Sequence, residues 1–502
     1  MSDSVRFLLD GEVVTITEID PTRTVLQWLR EDRWQTGSKE GCAEGDCGAC
    51  MVVIASIDDS GDHLQYRAVN ACIQFVATLD GKELITVESL TRGQSQLYPV
   101  QQAMVEHHGS QCGFCTPGFV MTLFAAFNSQ PTLTRTDIND ALAGNLCRCT
   151  GYRPIVDAAV AMYECAGTTD DSDRLRVPAG QVSARSEAQE RDVIAELNAL
   201  RHDTTLTIGA SGRHISAPTT IAALTALLAE KPEATILAGG TDVGLWVTKQ
   251  FRDMDELIYV GEVDALKTIT TTDTHLEIGA AVTFSSAMPQ LVAHFPSMEP
   301  LLRRFASPPV RNAATIGGNI ANGSPIGDSM PAFIALGAEI ELISADGSRR
   351  LPLDAFYHDY MVNDLQPGEF VARLLVPLLS DNQVFRAYKL SKRFDQDISA
   401  VCAAFCMTLV DGRCEEIRTG FGGMAAIPAR AAHCEKALRG HVLTESVTRE
   451  AMAALDTDFS PLTDMRASDD YRRTAARNLL YRFYLAVTEP DVTLEVYDYD
   501  RQ

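Results

Sequence analysis

Thirteen cysteines occur in 502 residues, and eight of them crowd into the first 150 at tight spacings. Cys42, Cys47 and Cys50 follow the pattern C-x4-C-x2-C, with Cys72 standing further on as a fourth. Four soft thiolates in this plant-type arrangement suit two irons, a 2Fe–2S cluster. Gly41, Gly45 and Gly48 punctuate the loop, so its backbone can fold closely round an anionic group and aim N–H groups at the sulfurs. Structural zinc sites usually present two C-x2–4-C pairs, a poor match to this set.

A second set follows. Cys112 and Cys115 form C-x2-C within QCGFCTPG, and Cys147 and Cys149 form C-x-C within NLCRCTGYRP. Two tight pairs of thiolates at helix ends can hold either zinc or a 2Fe–2S cluster, and spacing leaves both open. Thr116-Pro117 reads as an N-cap with proline at the first position of a helix running through PGFVMTLFAAFN. The positive end of that helix points back toward Cys115 and favours an anionic occupant. Two glycine turns, ILAGGTDVGLW and ATIGGNIANGSPIGD, could bring backbone N–H groups to a pyrophosphate. Each could equally be a structural strand–helix turn, since neither fits G-x-G-x-x-G and no P-loop pattern is present.

The elements that must position these residues divide the chain into α+β domains. Residues 1–88 show strand runs (VRFLL, VVTI, MVVIAS) with a hairpin at Asp10-Gly11 and one helical stretch, TVLQWLRE. Residues 89–167 turn helical, with Thr134 and Asp137 placed as a capping box before INDALAGNL. Residues 168–195 are polar, with few apolar anchors, and read as a linker. Residues 196–380 alternate helix and strand patterns, and residues 381–502 open on a hairpin at Asp411-Gly412 before two helical runs. Cys402, Cys406, Cys414 and Cys434 in that last part read as buried thiols, not as a third metal site. His214, His275 and His358 lie outside any recognisable motif.

QCGFCTPG and LCRCTGYRPI downstream of CAEGDCGAC resemble the iron–sulfur part of the molybdenum hydroxylases. That resemblance makes the second set a 2Fe–2S site too. It implies a β-grasp ferredoxin-like domain, a helical-bundle 2Fe–2S domain, an α/β FAD-binding domain of vanillyl-alcohol-oxidase type and a C-terminal α+β flavoprotein domain. It implies that Leu237, Ala238, Gly239, Gly240, Thr241, Asp242, Val243 and Gly244 wrap the FAD pyrophosphate. Thr315, Ile316, Gly317, Gly318 and Asn319 become a second binding loop, and Asp328 a partner for the ribityl or adenosine portion. Phe305 would flank the isoalloxazine ring, and Lys389 would approach the flavin. Gln111 and Cys149 would lie near a molybdopterin held by a partner.

The order of parts is similar to that of the small subunit in bacterial two-subunit members that oxidise hypoxanthine and xanthine. The resemblance therefore implies a large molybdopterin-binding partner, an α2β2 heterotetramer and NAD⁺ as the final acceptor. Two other readings stand beside it: a subunit of a hydroxylase acting on aldehydes or other N-heterocycles, and a stand-alone iron–sulfur flavoprotein NAD(P)H reductase. With 43 basic against 67 acidic side chains and a net charge of −24, nucleic acid and anionic membranes are poor partners. No apolar run reaches a membrane span and the N-terminus has no secretory pattern, so a cytoplasmic protein is expected.

Overall fold

The computed structural model describes residues 2–90, 97–167, 185–492 and 494. They form two compact units: Met1–Ala265 with Thr283–Ser285 and Ser307–Ala314, and Leu266–Val282 with Ser286–Ala306 and Thr315–Gln502.

In the first unit Val5–Leu9 and Glu12–Ile16 pair through Asp10 and Gly11, whose positive φ angles (57° and 76°) match a type I′ hairpin turn. Five strands then assemble in the order Glu12–Ile16, Val5–Leu9, Glu83–Ile85, Met51–Ile57 and Leu64–Asn70. Glu83–Ile85 runs parallel to the first strand and antiparallel to Met51–Ile57, giving the mixed β-grasp sheet. Both faces are covered, which explains why Met51–Ile57 begins as a continuous apolar run and does not alternate. Met51, Val53 and Ala55 enter a core with Phe119, Phe124 and Ile155. Val52 enters the opposite core with Phe7, Trp28 and Phe75.

The helix Thr116–Ser129 is buried along every residue from Gly118 to Ala125. A helix apolar all round has to be enclosed, and Pro99–Glu106, Arg135–Leu142 and Arg153–Gly167 share its core. The Thr134–Asp137 capping box is present, with the Thr134 N–H donating to Asp137 at 2.8 Å. The central helix starts one residue earlier than its sequence signal: Cys115 is the cap residue and Pro117 the second helical position. The Thr116 hydroxyl pairs instead with Ser110 at 2.6 Å.

The expected linker, 168–195, needs correcting at its C-terminal end. Residues 168–184 lie outside the described residues, but Glu187–Leu200 is a helix with a Ser186–Gln189 capping box. Ile194, Leu197 and Leu200 bury at three-residue spacing, and Glu190 accepts the Leu64 N–H at 2.7 Å. Polar composition hid a helix that needs only one narrow apolar stripe.

A four-stranded sheet completes the unit in the order Leu206–Ala210, Arg213–Ala217, Glu256–Tyr259 and Thr235–Leu237. Its Ile208, Ile215, Leu237 and Leu257 share the core of Phe7 and Trp28.

The second unit holds an antiparallel sheet in the order Ile269–Thr271, His275–Gly279, Phe370–Pro377, Glu339–Ser344 and Gly347–Pro352. A second sheet joins Gln383–Leu390, Val401–Val410 and Arg413–Gly422. Val401, Ala403, Phe405 and Met407 alternate onto one face of that sheet, against helices Ala432–Leu438, Glu445–Asp458 and Asp469–Thr488. Cys402 and Cys406 point to the other face, and with Cys414 and Cys434 they are buried. Phe405 stacks on Phe483 (5.1 Å between centroids) and meets Phe421 edge-on (5.6 Å). No helix among the described residues is long and apolar enough to cross a membrane. Phe405→Ala should cost about 3–5 kcal/mol, since a fully buried ring leaves a cavity; calorimetry of the variant beside the unsubstituted protein would read this as an earlier unfolding transition.

Candidate functional site

The loop bearing Cys42, Cys47 and Cys50 runs from the π turn Trp28–Asp32 toward the strand at Met51, and Cys72 follows the partner strand Leu64–Asn70. Sheet pairing therefore brings the distant fourth thiol back to the other three. Cys42 accepts N–H groups from Glu44, Asp46 and Cys47 at 3.5, 3.4 and 3.3 Å. Contact with the Cys47 and Cys72 thiols holds the Cys42 thiol far below its ordinary value. The same contacts push Cys47 and Cys72 up. Thiols brought into contact in this way form a donor set that a polycationic centre would satisfy by displacing their protons.

In the second set Cys115 contacts Cys147 and Cys112 contacts Cys149. Burial and Cys147 push the Cys115 thiol up to about 12. Cys147 is lowered against the effect of its burial, because Thr150 donates to its sulfur from the hydroxyl at 3.2 Å and the backbone at 3.5 Å. Cys147 is buried, whereas Cys112, Cys149 and Gln111 are exposed, so one side of this set faces solvent. Among the described residues no group of three or more His, Cys, Asp or Glu closes round a single ion. The thiols of this second set associate as two pairs.

The two cysteine loops touch. The Leu146 N–H donates to the Cys47 carbonyl at 3.0 Å, joining residues adjacent to or within both sets. Gly48 has φ +74°, and a Cβ there would stand 2.3 Å from the Gly144 carbonyl. A Cβ on Gly118 would stand 2.1 Å from the Gly48 carbonyl. Only bare backbone allows this approach.

Of the residues implied for FAD, those from Leu237 to Gly244 belong to the first unit, and the others to the second. The first group ends the strand Thr235–Leu237 and opens the helix Val243–Thr248. A Cβ on Gly244 would meet the Ile73 carbonyl at 2.8 Å, so this segment lies against the residue after Cys72.

In the second unit Thr315 caps the helix Ile316–Asn322, its hydroxyl oxygen accepting the Gly318 N–H at 3.1 Å. The Asn319 side-chain oxygen accepts from Ser329 at 2.5 Å. Phe305 ends the helix Glu299–Arg304. Asp328 and Lys389 form a buried ion pair at 2.6 Å, and Ser399 donates to the second Asp328 oxygen at 2.5 Å. The Lys389 ammonium also donates to the Asp397 carbonyl and to Ser399, both at 2.9 Å. Sequence reasoning missed Ser399, the Thr150 donors and Leu146. Thr150 directly follows Cys149 and was the most readable of these.

Four family models match successive segments of the chain. Residues 7–77 match a 2Fe-2S iron-sulfur cluster binding domain, and 86–160 a [2Fe-2S] binding domain. Residues 206–379 match the FAD binding domain in molybdopterin dehydrogenase, and 386–487 the CO dehydrogenase flavoprotein C-terminal domain. This chain belongs to the molybdenum hydroxylase family. Within it, xanthine dehydrogenase of Emericella nidulans is 31% identical over 96% of this chain and 38% of its own length. Xanthine dehydrogenase/oxidase of Gallus gallus is 29% identical over 97% of this chain and 40% of its own length. The chain thus spans about two fifths of these relatives. A chain of carbon monoxide dehydrogenase from Hydrogenophaga pseudoflava superposes with a TM-score of 0.51 at 27% identity, over 53% of this chain and 94% of that one. The matched domains support binding of 2Fe–2S clusters and FAD by this chain.

Cys147→Ser should lower bound iron by about half while the spectrum of the other cluster persists, because each set holds two irons; iron analysis with electron paramagnetic resonance checks it. Lys389→Met should destabilise the second unit by about 3–5 kcal/mol, because it strands the buried Asp328 carboxylate. The double variant Lys389→Met/Asp328→Asn should recover part of that loss in a denaturation series.

Proposed function

We propose that the chain is the electron-transfer subunit of a xanthine dehydrogenase. In this reading, electrons from oxidation of hypoxanthine and xanthine to urate, at molybdopterin on a large partner subunit, reach NAD⁺ through this chain. The partners form an α2β2 assembly. The observation that carries it is the match to xanthine dehydrogenases along 96% and 97% of the chain, through both cluster sets and the flavin segments. When bound, the clusters handle electrons singly and the flavin handles them in pairs, which a two-electron oxidation coupled to nicotinamide requires.

The chain's own residues bind, space and orient. Cys42, Cys47, Cys50 and Cys72 hold one cluster; Cys112, Cys115, Cys147 and Cys149 hold the other. The exposed face at Cys112, Cys149 and Gln111 suits the approach of a pterin-bearing partner. The Leu146 N–H on the Cys47 carbonyl holds the two sets at a fixed separation. The contact of Gly244 with Ile73 keeps the pyrophosphate segment against the first set. Within the second unit Thr315 and Asn319 would contact the flavin, with Asp328 held in one orientation by Lys389 and Ser399.

The complex purified through a tag on this chain should form NADH from xanthine, and the isolated chain should not. Turnover of an aldehyde or another N-heterocycle in place of xanthine would move the assignment to another hydroxylase. NAD(P)H oxidation by the isolated chain, with no molybdenum partner recovered, would leave the stand-alone reductase reading.

A further inference from the structure

The helix Val243–Thr248 ends on Lys249, whose ammonium donates to the backbone carbonyl of Cys42. The preceding residue binds the same loop: the Thr248 hydroxyl donates to the Ala43 carbonyl at 2.8 Å. Lys249 also stands 3.6 Å from the Glu44 carboxylate, and Glu44 in turn donates its N–H to the Cys42 sulfur. One cation is therefore held on the backbone of a thiolate ligand of the first cluster, and the anion it pairs with belongs to a residue whose N–H meets that ligand's sulfur. Asp46, two residues beyond Glu44, donates its N–H to the same sulfur.

From this juxtaposition we propose that Lys249 tunes the reduction potential of the cluster held by Cys42, Cys47, Cys50 and Cys72, and that Glu44 acts against it. The cluster gains one electron on reduction and becomes more negative by one charge. An ammonium on the ligand's carbonyl favours that reduced form, and the carboxylate paired with that ammonium offsets its charge and disfavours it. Lys249 and Glu44 side chains are 40% and 43% exposed, so solvent and salt weaken both effects without cancelling them. The lysine caps the helix Val243–Thr248, which the segment implied for the FAD pyrophosphate opens. The flavin-side element of the chain therefore sets how readily this cluster holds an electron. The inference rests on the cluster alone and not on the identity of the substrate, the acceptor or the partner.

The test is a reductive titration of the purified holoprotein with dithionite, following each cluster by its own electron paramagnetic resonance signal. The cluster held by Cys112, Cys115, Cys147 and Cys149 serves as internal reference. Lys249→Gln should lower the reduced-to-oxidised ratio of the first cluster about threefold to tenfold at a fixed potential. A tenfold change corresponds to about 59 mV for one electron. Glu44→Gln should move the same ratio in the opposite direction, and Lys249→Arg should restore the original value. Iron content confirms that each variant carries both clusters; should Lys249→Gln lose its cluster, the Glu44→Gln and Lys249→Arg arms still decide. Shifts of the same sign for Lys249→Gln and Glu44→Gln, or no shift in Glu44→Gln with the cluster intact, would overturn the proposal.

Discussion

Four thiolates cannot be gathered round an anionic cluster unless something nearby offsets their repulsion, and here the backbone does most of that work. Three N–H groups converge on Cys42, and Thr150 offers two donors to Cys147. Hydrogen bonds to charged groups contribute more than neutral ones, so the loops are held in conformations they would not otherwise keep. Ala43, Gly45 and Gly48 all take positive φ, which turns successive N–H groups inward. The rest of the first unit can be read as support for those loops. A sheet buried on both faces fixes where Cys50 and Cys72 emerge, and an enclosed helix fixes Cys115.

The same crowding explains the small residues. Gly48 and Gly118 leave room for one carbonyl to sit where a side chain would otherwise stand. Gly244 does the same against Ile73. Glycines that look like ligand-binding punctuation in the sequence are thus spent on bringing separate segments of the chain together. A pyrophosphate loop and a structural turn make the same demand on the backbone, which is why the motif could not separate them. The buried Asp328–Lys389 pair shows a related economy. Each oxygen of the carboxylate has a partner, and the ammonium has three acceptors, so the charges are tolerated away from water.

Several parts of the fold were legible because the governing signals are local. The hairpins at Asp10-Gly11 and Asp411-Gly412 follow from residues that accept positive φ. The Thr134–Asp137 cap follows from short-range hydrogen bonding. The helix Glu187–Leu200 was not legible as such: its charged residues dominate the composition, and its stripe has meaning only once there is a surface to bury it. Lys389 illustrates the same limit. As a single residue it reads as solvated, and its burial depends on Asp328 and Ser399, 61 residues before it and 10 after it.

By itself, the sequence determined the candidate ligand chemistry: four thiolates at plant-type cluster spacing and four more in two tight pairs, in an order that resembles the family's, with hairpins and caps written in adjacent residues. Thiolate softness and local turn geometry depend on residue type and short separation, so they survive in a linear reading. Only the tertiary structure decided what lies beside each ligand. The Leu146 N–H on the Cys47 carbonyl, Lys249 on the Cys42 carbonyl and Ile73 under Gly244 join positions from about 100 to over 200 residues apart. Such contacts form when whole elements bury their apolar faces, and no local pattern encodes which carbonyl a distant side chain will meet.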